Sequence, residues 1–154
     1  MRGVGIVLVP LVVLTLAACG SADGTGVVTG EDLTIEVVVD VMSGVPNPTF
    51  TVSGEEAAAL AEMVDALPSD GQVDPAAAFD LGFRGFVLRG LDLPADADQV
   101  RVRGADVIVS RGDAIGTLRT DQDRAIYTML RGMSEAHLDQ NVLQAIPVEG
   151  LKGS

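Results

Sequence analysis

The sequence predicts an α+β domain: an antiparallel-rich sheet of about four strands with two helices on one face, in the order βαβββα. Three observations carry that expectation. A stretch near residue 33 alternates apolar and polar residues with a period of two. Two later stretches, from Ala57 and from Ile126, carry apolar residues at helical spacing. Between them, three strand-like runs follow one another with no helical stretch, which favours hairpins over a doubly wound arrangement.

The first strand is expected over Leu33–Met42. Leu33, Ile35, Val37, Val39 and Val41 fall on one side of an extended chain, and Glu36, Val38, Asp40 and Met42 on the other. Ser43-Gly44-Val45-Pro46-Asn47-Pro48 then stops it. Two prolines fix φ and push their predecessors toward extended backbone, so a stiff projecting loop is expected. Phe50–Val52 reads as a short extended piece. Ser53 followed by Glu56 has the form of a capping box, and Glu55 and Glu56 suit the positive end of a helix. Ala57, Leu60, Met63, Val64 and Leu67 give the apolar stripe of a first helix over Gly54–Leu67, ended by Pro68. Ser69–Ala78 reads as a polar loop.

Strands are expected over Phe83–Leu91, Gln99–Arg103 and Asp106–Ser110. Val100-Arg101-Val102-Arg103 alternates, and Gly104-Ala105 can turn it into a hairpin. Arg111-Gly112-Asp113 closes that unit. A weak cap at Thr120, with Asp123 three residues on, precedes Ile126, Met129, Leu130 and Met133, so a second helix is expected over Asp121–Ala136. Leu138–Ile146 fits either a helical turn or a last strand. No internal repeat is present.

The region ahead of this domain has a different character. Arg2 is followed by an uncharged, apolar run from Val4 to Ala18. Charge, apolar core and small residues in that order are the layout of a secretory signal peptide. The run is shorter than the roughly 20 residues that span a bilayer, and Pro10 disfavours a continuous helix. Leu16-Ala17-Ala18-Cys19 ends it, and Cys19 is the sole cysteine among 154 residues. These four residues resemble the signal of bacterial lipoproteins. The resemblance implies that residues 1–18 are removed and that Cys19 carries lipid, which would hold the protein outside the cytoplasm on a membrane of the cell envelope. Residues 19–30 are then the lipidated cysteine and a Gly-rich tether, reaching ~18 Å on average. Residues 31–154 form a single small domain.

With Arg2 in the segment ahead of Cys19, the remaining chain has nine basic residues against 22 acidic ones, a net charge of −13. Such a surface repels phosphates, so no nucleic-acid partner is expected. It also disfavours lying on anionic lipid, which leaves attachment to the acyl chains. Disulfides are excluded by the single thiol.

No familiar catalytic set is found. His137 is the only histidine. It is expected at the end of the second helix, partly buried, where its charge suits the negative terminus. A zinc site of the usual kind lacks ligands. No Gly-x-Ser-x-Gly or Ser-x-x-Lys motif and no phosphate-cradling glycine loop occurs. Asp92, Asp96 and Asp98 crowd one loop and are weak candidates for calcium, whose sites take 6 to 8 oxygens. A carboxylate-based hydrolase would have to use these aspartates and His137.

Two segments stand out: Ser43-Gly44-Val45-Pro46-Asn47-Pro48-Thr49-Phe50 and Leu81-Gly82-Phe83-Arg84-Gly85-Phe86. Together they resemble a pattern, S-G-x-P-N-P-x-aromatic then L-G-F-R-G-F, of uncharacterised exported bacterial proteins. In that group an arginine often stands where Val45 stands here. The resemblance implies no known activity, and no cofactor is expected. Phe50, Phe83 and Phe86 are three of only five aromatic residues and are expected to fill the core. Pro46, Asn47, Pro48 and Arg84 are the expected recognition surface, because binding residues concentrate on loops held by a scaffold. The expected function is that of a non-enzymatic binding or envelope-support lipoprotein whose partner is another envelope protein or a wall component. Binding of a small ligand or calcium is the alternative.

Overall fold

The computed structural model describes residues 33–41, 44, 46–74 and 82–150. The expected signal peptide, Cys19 and tether lie outside these residues. The elements run β1 (Thr34–Asp40), β2 (Thr49–Ser53), α1 (Gly54–Ala66), β3 (Ser69–Val73), β4 (Gly85–Arg89), β5 (Gln99–Arg103), β6 (Asp106–Ser110), β7 (Gly116–Thr120), α2 (Ala125–His137) and α3 (Gln140–Ala145). The seven strands form one sheet in the order β2-β1-β4-β5-β6-β7-β3, with every pair antiparallel.

The α+β class and the antiparallel sheet agree with expectation, but the sheet has seven strands where about four were expected, and βαβββα is not the order. The strands that were not foreseen lie at or next to the sheet edges. Ser69–Val73 was expected as part of a loop, yet it pairs with β7 from Ser69↔Arg119 to Val73↔Gly116, with a bulge between Ser69 and Gly71. Its sequence, SDGQV, is exposed at four of five positions, so it has no apolar face from which a period of two could be read. Only its partner makes it a strand. β7 likewise lies beyond the point where the hairpin unit was expected to end.

One face of the sheet is the core. Ile35, Val37 and Val39 of β1, Phe50 and Val52 of β2, Phe86 and Leu88 of β4, Val100 and Val102 of β5, and Val107 and Val109 of β6 gather into one buried cluster. Their registers place them on a common side, as Val39↔Phe86, Phe86↔Val102 and Val102↔Val107 show. Both long helices pack there, α1 through Ala57, Leu60 and Val64, α2 through Ile126, Tyr127 and Leu130. Phe83 meets Phe86 and Tyr127 edge-on, and Phe86 and Tyr127 are tilted to each other, with ring centroids 5.3 to 6.1 Å apart. At this spacing aromatic pairs add to simple burial.

The helix starts differ from the sequence signals. Ser53 has the extended backbone of an N-cap, but its side chain makes no cap bond, so the capping box does not form. α2 begins four residues later than expected, because Asp121–Arg124 forms a turn closed by the Arg124 N–H donating to Asp121 O at 3.0 Å, and Arg124 rather than Thr120 is the N-cap. Asp121 Oδ2 accepts the Ile126 N–H at 2.8 Å. Arg124 takes left-handed backbone with φ 54° to make this turn, and its guanidinium donates to Glu149 O at 2.8 Å. The ambiguous stretch after His137 resolves as the short helix α3. Beyond it, Ile146 is buried and Tyr127 Oη donates to Pro147 O at 2.6 Å, tying the C-terminal segment back onto α2.

Among the described residues no helix is long and apolar enough to cross a membrane.

Candidate functional site

The face of the sheet turned away from the helices holds the most concentrated polar chemistry among the described residues. Alternation along β1 turns Val39 into the core and sends Asp40 to the other side. Asp40 is only 7% exposed. A carboxylate so enclosed requires partners, and it has them. Arg101 NH1 donates to Asp40 Oδ2 at 2.7 Å, while Arg84 NH2 donates to Oδ1 at 2.5 Å and Asn47 Nδ2 to the same oxygen at 3.0 Å.

The backbone builds this cluster. Asp40 pairs with Gly85 across the β1–β4 ladder, and Val87 pairs with Arg101 across the β4–β5 ladder. Arg101 therefore reaches Asp40 diagonally over β4. Gly85 permits the approach: a Cβ built there would lie 2.6 Å from Val102 O and 2.9 Å from Arg103 Cγ, and its φ of 122° excludes most side chains. Arg84, the residue before β4, adds a backbone bond from its N–H to Asp40 O at 2.6 Å. Asn47 completes the clamp. Its Oδ1 accepts the Val41 N–H at 3.2 Å while its Nδ2 serves Asp40. Pro48 O accepts the Val39 N–H at 2.8 Å.

The two segments singled out in the sequence thus converge on one carboxylate. Of the expected recognition residues, Asn47 and Arg84 meet at Asp40, Pro46 is exposed beside them, and Pro48 is half-buried with its carbonyl in the β1 ladder. The cluster joins two guanidinium groups to one carboxylate through charge-assisted bonds, which are stronger than neutral ones. It also reaches the β6–β7 turn: Arg101 NH2 lies 3.8 Å from Asp113 Oδ1. In chemical terms it is a pedestal that fixes the Pro46–Pro48 turn, since both ends of the Asn47 amide are engaged.

Two members, Asp40 and Arg101, were missed. Arg101, like Arg103, alternates with valines in a way that reads as a solvated strand face, but the two are 5% and 8% exposed. Asp40 carried a signal, as an acid directly after the three valines Val37, Val38 and Val39. Its partner could not be named without knowing which strands are neighbours.

The remaining candidates are dispersed. Asp92, Asp96 and Asp98 are all exposed. Asp98 Oδ1 accepts the Gly112 N–H at 2.9 Å, and among the described residues no group of three or more His, Cys, Asp or Glu side chains converges on a point that an ion could occupy. His137 is exposed rather than partly buried. Its ring stacks on Phe50, 5.0 Å away and nearly parallel, because α2 ends over the edge strand β2. Tyr127 has its phenol pushed up to about 12, chiefly by burial, with the nearby Arg131 charge and a bond to the Gly150 backbone working in the opposite direction. Comparison with protein-family models, with curated proteins and with solved structures finds no match to this chain.

Proposed function

We propose that this chain is a bacterial lipoprotein, held on the outer side of a membrane by lipid on Cys19, whose folded domain is a non-enzymatic binding module. The partner is another envelope protein or a wall component, and the contact surface is the Pro46–Pro48 turn with Arg84. Leu16-Ala17-Ala18-Cys19 after an uncharged apolar run supports the anchor. The observation that carries the binding reading is the engagement of Asn47, Arg84 and Arg101 by the Asp40 carboxylate. A turn already held in one conformation loses little freedom on binding, so more of its contact energy appears as affinity. The acidic surface, at −13 without residues 1–18, keeps the module soluble and averts unspecific contact with phosphate-rich polymers.

Intact-mass measurement on the protein purified from a lipoprotein-processing bacterium tests the anchor. The expected product begins at Cys19 and is heavier by its acyl groups, and Cys19→Ala abolishes both features. Recovery of a full-length, unacylated chain from the soluble fraction refutes it. Crosslinking in intact cells tests the surface: Asn47→Ala and Arg84→Ala should lose a partner that wild type captures. An unchanged set of partners counts against that surface while leaving the anchor standing.

A further inference from the structure

A second feature lies apart from the Asp40 cluster, where the 91–98 loop meets the start of β7 and the edge strand β3. A cavity of about 100 Å3 is lined there by Asp96, Arg119, Gln72, Ser110, Thr117 and Ile115, among others. At ~30 Å3 per water this is room for roughly three waters, or for a ligand of similar bulk. It is far below the several hundred Å3 of an ordinary metabolite pocket.

Charge decides what fits. Among the described residues no carboxylate pairs with Arg119 and no cation pairs with Asp96. Asp96 and Arg119 both line this cavity, and they form no ion pair with each other. Arg119 is fixed in place, since NH1 donates to Val64 O at 2.7 Å and to Asp65 O at 3.3 Å at the end of α1. Ser110 Oγ spends its proton on Gly112 O at 2.9 Å, so its lone pairs remain as acceptors. Thr117 adds a second hydroxyl and Gln72 an amide. Ile115, 67% exposed, supplies an apolar rim.

We propose that this cavity binds a small zwitterionic α-amino acid of about alanine's size. The ligand carboxylate faces Arg119, its ammonium faces Asp96 and the Ser110 hydroxyl, and its methyl group faces Ile115. A single charge satisfies only one wall, and a long side chain exceeds the volume. This site does not rest on the lipid anchor or on the Asp40 surface.

The test is an NMR titration of the full chain with glycine, L-alanine, D-alanine and leucine, with acetate and ethylammonium as single-charge probes. Saturable amide shifts confined to Ala97, Ser110 and Thr117 are expected with glycine or an alanine enantiomer. Leucine and the single-charge probes should give none. Asp96→Asn, at an exposed position, should weaken binding about tenfold or more, the cost of losing a charge-assisted bond, with an unchanged unfolding midpoint. Absence of saturable shifts with glycine and both alanines overturns the proposal. So do equal shifts with acetate alone, or undiminished affinity in Asp96→Asn.

Discussion

Removing the Asp40 carboxylate should be among the most damaging single changes available to this domain. The Asp40 and Arg101 side chains are 10% and 6% exposed and meet at 2.7 Å. Asp40→Ala takes that carboxylate from Arg101, whose NH2 lies 3.8 Å from the 74% exposed Asp113. Stripping one partner from a buried ion pair costs about 3–5 kcal/mol, because the other charge stays desolvated. Against a typical domain stability of about 5–15 kcal/mol this is a large fraction. Arg84→Ala should cost only about 1 kcal/mol or less, because its side chain is 30% exposed and water screens the loss. Urea unfolding followed by circular dichroism measures both. Replacing the two charges together, Asp40→Leu with Arg101→Met, should cost clearly less than the sum of the single changes, since neither ion is then stranded. Hydrogen exchange reports on the turn separately. The Val41 amide, which donates to Asn47 Oδ1 at 3.2 Å, should lose protection in Asp40→Ala more than amides in the middle of β5. A cost below about 1 kcal/mol for Asp40→Ala, or additive single and double changes, would show that the pair is effectively solvated. The turn would then owe its order to its prolines alone.

Three further outcomes follow from the packing. Tyr127 titrates at about 12 in the fold against ~10 when unfolded, so its contribution is intact below pH 10 and is lost as pH rises from there toward 12. Since the chain has one Tyr and no Trp, tyrosinate absorbance reads this residue alone; Tyr127→Phe should remove the part of the alkaline loss of stability that this residue causes. Gly85→Ala should destabilise markedly and loosen the β4–β5 ladder, because its Cβ would lie 2.6 Å from Val102 O; a thermal midpoint equal to wild type would contradict the close approach. Asp121→Ala should cost about 0.5–2 kcal/mol through loss of the acceptor for the Ile126 N–H in the first turn of α2, visible as early fraying of residues 125–128 in hydrogen exchange.

The elements whose signal is local were legible from residue order alone. The valines of β1, the Gln99–Arg103 and Asp106–Ser110 hairpin and the stripe of α1 each repeat apolar residues at the period of their own geometry, since each buries one side against the same core. Phe50, Phe83 and Phe86 are inside for the same reason. The charge balance and the Cys19 context are likewise properties of the chain order. What folding added was neighbourhood. β3 is a strand only because β7 lies beside it, and its exposed residues carry no trace of that pairing. Arg101 is buried because the register of three strands sets it diagonally across Gly85 from Asp40. Asp96 and Arg119, 23 positions apart, line one cavity because a loop and a strand meet there. Periodicity is written along the chain, whereas the pairing of distant charges depends on strand order and register, which are set by many weak contacts acting together.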